Sequence, residues 1–428
     1  MSRTALAIVT AAFALSSCAR FEGSDRTAPD MPLWFTRPGG ALSVTARRVL
    51  AADSRRIGDV REFNNRRPVS ERSVPALDTT NGRVFVGTSD RGLYALRAGD
   101  LSTIWRFQTA GPVMSEPLFD NELDVVYFGS HDGALYAVHA STGELVWRYN
   151  TGSAVGRQPV LSGERLFFSN ASDYVFAIDR RSGKTIWQAH RTPAMGMEIA
   201  GHAGVALDQN RVFAAFSDGH VAAFNTDSGA DAWPEQLDLL AGADANTETA
   251  RYLDVDTTPA VAPHPQHGRV IYVAAYSTGV FAVAAATGTI LWRNERALGV
   301  ADVTYWSEPP HRPEGMPDDA PAIATAPLLL ASSGSTGLWA LDPLTGEMQW
   351  RVRVPEGGVT ATVPFAGALL VGSTMHGLHL ISPLNGKGID GIDPGLGFSS
   401  PPVTFGRMAY ALSNAGTLFA VQVNPPGR

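Results

Sequence analysis

Short apolar runs bounded by polar turns recur along this chain about every 40 residues. The clearest copy is Gly133-Ala-Leu-Tyr-Ala137-Val-His-Ala-Ser-Thr-Gly143-Glu-Leu-Val-Trp147. Leu135 to Val138 reads as a strand, Thr142-Gly143 as a turn and Glu144 to Tyr149 as the returning strand. Glycine suits the turn because it takes positive φ without steric cost. The same hairpin ends in Gly183, Gly229, Gly288, Gly346 and Gly386. Six tryptophans each lie ten residues after a small residue: Ala95/Trp105, Ala137/Trp147, Ala177/Trp187, Ala223/Trp233, Ala282/Trp292 and Ala340/Trp350. Two further copies are degenerate. Gly377 to Gly386 keeps the hairpin without the Trp, and Gly416 to Gln422 runs into the C-terminus.

Upstream of the hairpins a strand led by proline recurs, at Pro75, Pro117, Pro159, Pro259, Pro327, Pro364 and Pro402. A wholly apolar strand follows most of them, as in Val125-Val-Tyr-Phe and Val270-Ile-Tyr-Val. Four strands per unit and eight units predict an all-β fold, an eight-bladed β-propeller of four-stranded antiparallel blades. The eighth unit lacks its outermost strand. Leu33-Trp34-Phe35-Thr36 has the flavour of that strand, so the ring is expected to close through an N-terminal strand around Trp34. A Trp buries roughly 150–250 Å² and needs a flat partner, so the small residue opposite it is expected to let blades approach closely.

The N-terminus precedes this pattern. Arg3, an apolar stretch from Ala5 to Leu15 and Leu15-Ser16-Ser17-Cys18 form a charged, apolar and small-residue series too short to span a bilayer. Leu-Ser-Ser-Cys resembles a bacterial lipobox, with Cys18, the only cysteine, as the acylated residue; a plain secretory signal is the alternative. The expected division is a signal peptide over 1–17, a lipidated Cys and tether over 18–32, and the propeller over 33–428. With Ala19 after the Cys, the resemblance implies an outer-membrane anchor facing the periplasm.

The 428 residues carry a formal charge of −7, which argues against general nucleic-acid binding. Three stretches break the period and are candidate binding loops: the Arg-rich 37–72, the polar 235–251 and the Pro-rich 301–322. His264-Pro-Gln-His267 lies in a turn-rich loop, His376 and His379 fall on opposite strand faces with poor geometry for a shared metal, and no metal site is assigned. No hydrolase elbow, P-loop or zinc motif is present.

The tandem Ala-x-Asp-x-x-x-Gly-x-x-x-Trp pattern resembles the quinoprotein-type propellers, which include pyrroloquinoline quinone (PQQ) enzymes and non-enzymatic relatives. Arg251-Tyr-Leu-Asp-Val-Asp-Thr-Thr-Pro259 is similar to a stretch in the BamB family of outer-membrane assembly lipoproteins. That resemblance implies a non-enzymatic scaffold without a cofactor. It implies docking through face loops onto a periplasmic POTRA domain of BamA, with unfolded outer-membrane proteins as further partners. Asp254 and Asp256, beside Arg251, match the family's acidic contact pair; carboxylates on a loop accept charge-assisted hydrogen bonds from a partner's Arg or Lys. The alternative for Asp256, next to Thr257-Thr258, is local bonding that holds the loop. A second contact loop matches Met195-Gly196-Met197-Glu198, with the apolar positions kept as Met195 and Met197 and a basic position turned to Glu198. The other readings are a PQQ-dependent dehydrogenase and an anchored propeller for another periplasmic partner, with the cationic 37–72 segment as its candidate contact.

Overall fold

Strands that are apolar at every position need cover on both faces, and sheets packed face to face provide it. In the computed structural model, Arg83–Thr88, Val125–Gly129, Leu328–Ser333 and Ala368–Gly372 are buried at every position. Outer strands have one face toward solvent and alternate instead, as in Thr103–Gln108. The structure describes residues 40–51, 71–193, 202–241, 255–308, 326–354, 357–394 and 397–424, and the backbone of Asp30–Pro32.

Eight sheets form a ring. Blade 1 holds Ala76–Asp78, Arg83–Thr88, Gly92–Arg97 and Thr103–Gln108, paired antiparallel in chain order. Blades 2 to 7 repeat that order, starting at Leu118, Val160, Val205, Ala260, Val300 and Val363. Blade 8 takes three strands from the C-terminal end, Val403–Phe405, Met408–Leu412 and Thr417–Val423, and its outermost from Leu42–Val49. Asp30–Pro32 pairs parallel to Met348–Arg353, giving blade 6 a fifth strand. Each hydrophobic cluster of the described residues is shared by two neighbouring blades, so the core is a set of eight interblade layers.

Six of these layers carry one joint. Each repeated Trp donates its indole N–H to a carbonyl in the next blade's third-to-fourth turn, at 2.9–3.0 Å: Trp105 to Ala140, Trp147 to Arg180, Trp187 to Thr226, Trp233 to Ala285, Trp292 to Pro343 and Trp350 to Pro383. The ring lies against the glycine of that same turn. A Cβ on Gly143, Gly183, Gly229, Gly288, Gly346 or Gly386 would sit 2.5–2.9 Å from the indole, and all six have φ of 67–76°. Glycine is thus required twice, by conformation and by contact. The small residue behaves as expected: Ala137, for example, pairs with Trp147 across the strands and belongs to the layer facing blade 3. The partner of the ring itself is the next blade's glycine.

The last two joints differ because blade 8 is assembled from both ends of the chain. Four residues after Gly386, where the other blades place Trp, stands Asp390. Its carboxylate accepts the backbone N–H of Leu42, the first residue of the closing strand, at 2.7 Å. Blade 8 has no third-to-fourth turn offering a carbonyl, but a strand start offering an N–H, so the joint inverts its polarity. At the junction of blades 8 and 1, Ala46 stands opposite Ala420. The glycine position of blade 1 is Leu101, at φ 57°, and its fully buried side chain joins the layer between the two blades. The bulk has moved from the outer strand into the neighbouring turn.

Two expectations are corrected here. The closing strand is Leu42–Val49 rather than Leu33–Thr36, and the residue opposite Ala420 is Ala46 rather than Trp34; Trp34 itself lies outside the described residues. The first strand of blade 6 is Val300–Trp306, so the 301–322 stretch begins inside the blade and Pro327 leads the second strand.

Candidate functional site

Antiparallel strands put alternate connections on opposite faces of the ring. The third-to-fourth turns with their Trp-docking glycines lie on one face, and the fourth-to-first connections lie on the other. Segments 194–201, joining blades 3 and 4, and 242–254, joining blades 4 and 5, are of the second kind. The described residues that flank the two sequence-derived contact loops lie between fourth and first strands of successive blades. Met195, Met197, Glu198, Arg251 and Asp254 lie outside the described residues, as does Cys18. Asp256 is described and half-buried.

The roots of these loops enter an inner layer that also follows the repeat. Three residues before the first strand of each blade stand Ser73, Ser115, Arg157, His202, Thr257, Ala297, Thr360 and Ser400. In four of the five blades where the residue carries a hydroxyl, it staples the inner strand to the second strand of its own blade; Ser400 Oγ of blade 8 makes no such bond. Gly87 donates its N–H to Ser73 Oγ at 2.9 Å, Gly129 to Ser115 Oγ at 3.0 Å, Ala274 to Thr257 Oγ1 at 2.8 Å and Gly372 to Thr360 Oγ1 at 2.9 Å. Thr257 Oγ1 also donates to Ala274 O at 3.0 Å. Thr258 Oγ1 accepts from Gly204 N at 2.9 Å, tying blade 5 to blade 4. The Thr-Thr of the Asp-Val-Asp-Thr-Thr-Pro stretch is therefore fixed to the inner layer through its hydroxyls.

Blades 3 and 4 break the run with Arg157 and His202. Arg157 Nε donates to His202 O at 2.6 Å, and Nη2 donates to Asp256 O at 2.9 Å. Nη1 stands 3.8 Å from Asp302 Oδ1 of blade 6, with both side chains partly open to solvent. One guanidinium thus touches blades 4, 5 and 6 from its seat before blade 3. His202 Nε2 accepts the N–H of Gly156 at 3.3 Å. Burial, with Arg157 nearby, drives the His202 imidazole down to about 3, so it is neutral at any physiological pH.

Two carboxylates face this guanidinium. Burial pushes the Glu116 carboxyl up to about 7; Arg157 opposes that rise and Asp302 adds to it. Burial raises Asp302 as well, again opposed by Arg157. Glu116 sits immediately before blade 2's inner strand, so the centre joins blades 2 to 6. The interactions it shows are charge balance and hydrogen bonding.

The Glu116 shift has a testable sign. A carboxyl whose folded pKa lies above its ordinary 4.5 favours folding at low pH and loses that contribution as pH rises toward 7. Glu116→Gln is therefore expected to gain stability relative to the parent as pH rises from about 5 to 8, with little difference below 5. Paired thermal melts across that range measure it. His202 has the opposite sign but is common to both proteins, so it cancels. A pH-independent difference would place the Glu116 carboxyl in the ordinary range.

Sequence reasoning did not single out Arg157, His202, Glu116 or Asp302. A signal was present: Ser73-Val-Pro75, Ser115-Glu-Pro117, Thr257-Thr-Pro259 and Ser400-Pro-Pro402 share a hydroxyl two residues before proline, and Arg157-Gln-Pro159 breaks it. The two histidine pairs have local roles or none in a cluster. His264 Nδ1 accepts the N–H groups of Gln266 and His267 at 3.2 Å each, capping its own turn. His379 is buried in blade 7, and burial lowers its imidazole to about 4.

Comparison with known proteins places this ring among others. A family model described as "Outer membrane protein assembly factor BamB" matches residues 121–305 and 262–394. An outer membrane protein assembly factor BamB of Yersinia pestis is 25% identical over 347 residues, covering 80% of this chain and 70% of that protein. One from Legionella pneumophila (strain Paris) is 24% identical over 242 residues, covering 55% of this chain and 54% of its own, so the chain spans about half the length of that relative. Among solved structures, BamB from Moraxella catarrhalis superposes with a TM-score of 0.68 at 20% identity, covering 89% of this chain and 99% of that one. The quinohemoprotein alcohol dehydrogenase ADHIIG from Pseudomonas putida superposes with a TM-score of 0.66 at 14% identity, covering 93% of this chain and 79% of that one. At such identities these superpositions carry the fold alone.

Proposed function

This chain belongs to the outer membrane protein assembly factor BamB family, and we propose on that premise that it is a lipid-anchored, periplasm-facing scaffold of outer-membrane protein assembly. In this reading Cys18 carries the anchor. The loops 194–201 and 242–254 bind a BamA-type partner through its periplasmic domains, with Met195 and Met197 as adaptable apolar contacts and Arg251, Asp254 and Asp256 as charged ones. The observation that carries it is the common seat of the two loops: both connect fourth to first strands of successive blades, and both return to the ring beside Arg157. Scaffold action needs nothing more than a rigid ring that holds such loops in register.

Capture of a BamA-type partner by the detergent-solubilised, lipidated protein tests the reading. Asp254→Arg combined with Asp256→Arg is expected to weaken capture about tenfold, roughly 1.4 kcal/mol, without lowering the melting temperature. Unchanged capture would confine these carboxylates to holding the loop. Failure of the parent protein to capture any such partner would remove the reading altogether.

The alternative of a PQQ-dependent dehydrogenase finds little support at the ring centre. The Arg157 guanidinium is engaged by two backbone carbonyls, and the single cysteine excludes a disulfide between adjacent cysteines. No group of three or more acidic, His or Cys side chains among the described residues is placed to hold a metal ion. These residues do not fit the cofactor and its cation. Absence of a bound chromophore after incubation with PQQ and Ca²⁺ is the expected result; its appearance would favour the enzyme.

A further inference from the structure

We propose that Arg157 is the positioning residue of the partner-binding face, setting the register of loops 194–201 and 242–254 by holding both of their returning ends with one side chain. The inference rests on the reading of those loops as contact elements, and it assigns them a common control.

Four observations carry it. His202 is the first described residue after the first loop, and Asp256 lies two residues after the second. Arg157 donates to the backbone carbonyl of each, at 2.6 and 2.9 Å, and makes no such bond to its own blade's second strand. The equivalent hydroxyl of four other blades does the reverse, bonding that strand within its own sheet. Blade 3 has thus exchanged a local staple for one that crosses two blade boundaries.

The chemistry suits arginine. Its planar fork offers five N–H donors in fixed directions, enough for two carbonyls and a carboxylate together. A hydroxyl has one hydrogen to donate, as Ser73 Oγ does to Ser115 O of the next blade at 2.7 Å. Carbonyl acceptors give the clamp no dependence on the side chains at 202 and 256, so it reads loop geometry rather than loop sequence. Asp302 Oδ1 from blade 6 stands 3.8 Å from the guanidinium and His202 from blade 4 is neutral, so the two carbonyl bonds are the short contacts that fix it.

Arg157→Met in the full-length protein tests the proposal, with Asp302→Asn as comparison. Amide hydrogen exchange is read without partner over 202–204 and 255–258. Arg157→Met is expected to raise exchange at least tenfold in both stretches together, leaving the Trp joints of blades 6 and 7 protected. Asp302→Asn, which leaves both carbonyl bonds intact, is expected to change neither stretch. Partner capture is then expected to fall about tenfold for Arg157→Met and to hold for Asp302→Asn. If Arg157→Met does not fold, Arg157→Lys replaces it, with a smaller rise in both stretches. A rise in one stretch alone, or in neither, overturns the proposal. A coupled rise in a protein whose parent captures no BamA-type partner supports the positioning role of Arg157 and overturns the partner reading instead.

Discussion

Trp350→Ala is expected to destabilise the ring by about 3–5 kcal/mol, the range for truncating a large buried aromatic. Trp350 is only 3% exposed and belongs to the layer between blades 6 and 7. Its removal takes away the indole that lies on Gly386 and leaves Pro383 O without its 2.9 Å donor. The neighbouring turn cannot collapse into the space, because Gly386 holds it in a left-handed conformation and has no side chain to advance. Trp350→Phe separates the two contributions. It keeps most of the apolar area but leaves the carbonyl unpaired, and is expected to cost about 1–3 kcal/mol. Urea unfolding followed by fluorescence and by circular dichroism measures both. A loss under 1 kcal/mol for Trp350→Ala would mean that the joint contributes little beyond the strands it connects. Trp292, which is less deeply buried than Trp350, is expected to be more forgiving.

Asp390→Ala is expected to act on closure rather than on one layer alone. The Asp390 carboxylate is buried and accepts the Leu42 N–H at 2.7 Å, a charge-assisted bond of about 1.5–3 kcal/mol. Its loss leaves a buried donor at the first residue of the strand that completes blade 8. The expected outcome is a stability loss of about 2–3 kcal/mol together with faster proteolysis near Leu42–Val49. Asp390→Asn keeps an acceptor oxygen and is expected to recover much of the loss. Equal damage from both substitutions would point to another partner of this carboxylate as the important one.

The regular part of the molecule was readable because it depends on single residues at fixed spacing. A glycine that must have positive φ and must accept an indole face leaves no choice of side chain, so Gly143, Gly183 and their equivalents stand out. The closing strand was misplaced for a physical reason. An outer strand exposes one face, and Leu42–Val49 has only Leu42 fully buried, with Arg47 and Arg48 in solvent, so it reads as a charged loop. Trp34 looked like a docking residue, yet the closing joint replaces Trp and Gly with Ala46 and Leu101. Leu101 could have signalled this, since it occupies the repeat's glycine position. The first strand of blade 6 escaped notice because Val300–Trp306 has no leading proline. Arg157 was passed over because its partners are backbone carbonyls, which leave no complementary residue in the sequence. The loop residues Met195, Met197, Arg251 and Asp254 came from family resemblance, and only the roots of their loops are seen in the fold.

Thr45 Oγ1 and Ala420 O, 3.2 Å apart, are separated by 375 positions in the chain. During synthesis, the strand Leu42–Val49 therefore appears among the first of the folded residues and waits for almost the last before it can pair. For that interval it is an orphan edge, and so is blade 1 beside it. Contacts of such span form late and slowly. The exposed Arg47 and Arg48 give the waiting strand a charge that discourages pairing with other edges. The feature that completes the ring thus also sets a timetable: seven blades can assemble in order of arrival, but the circle is sealed only when Leu42–Val49 meets the last strand made.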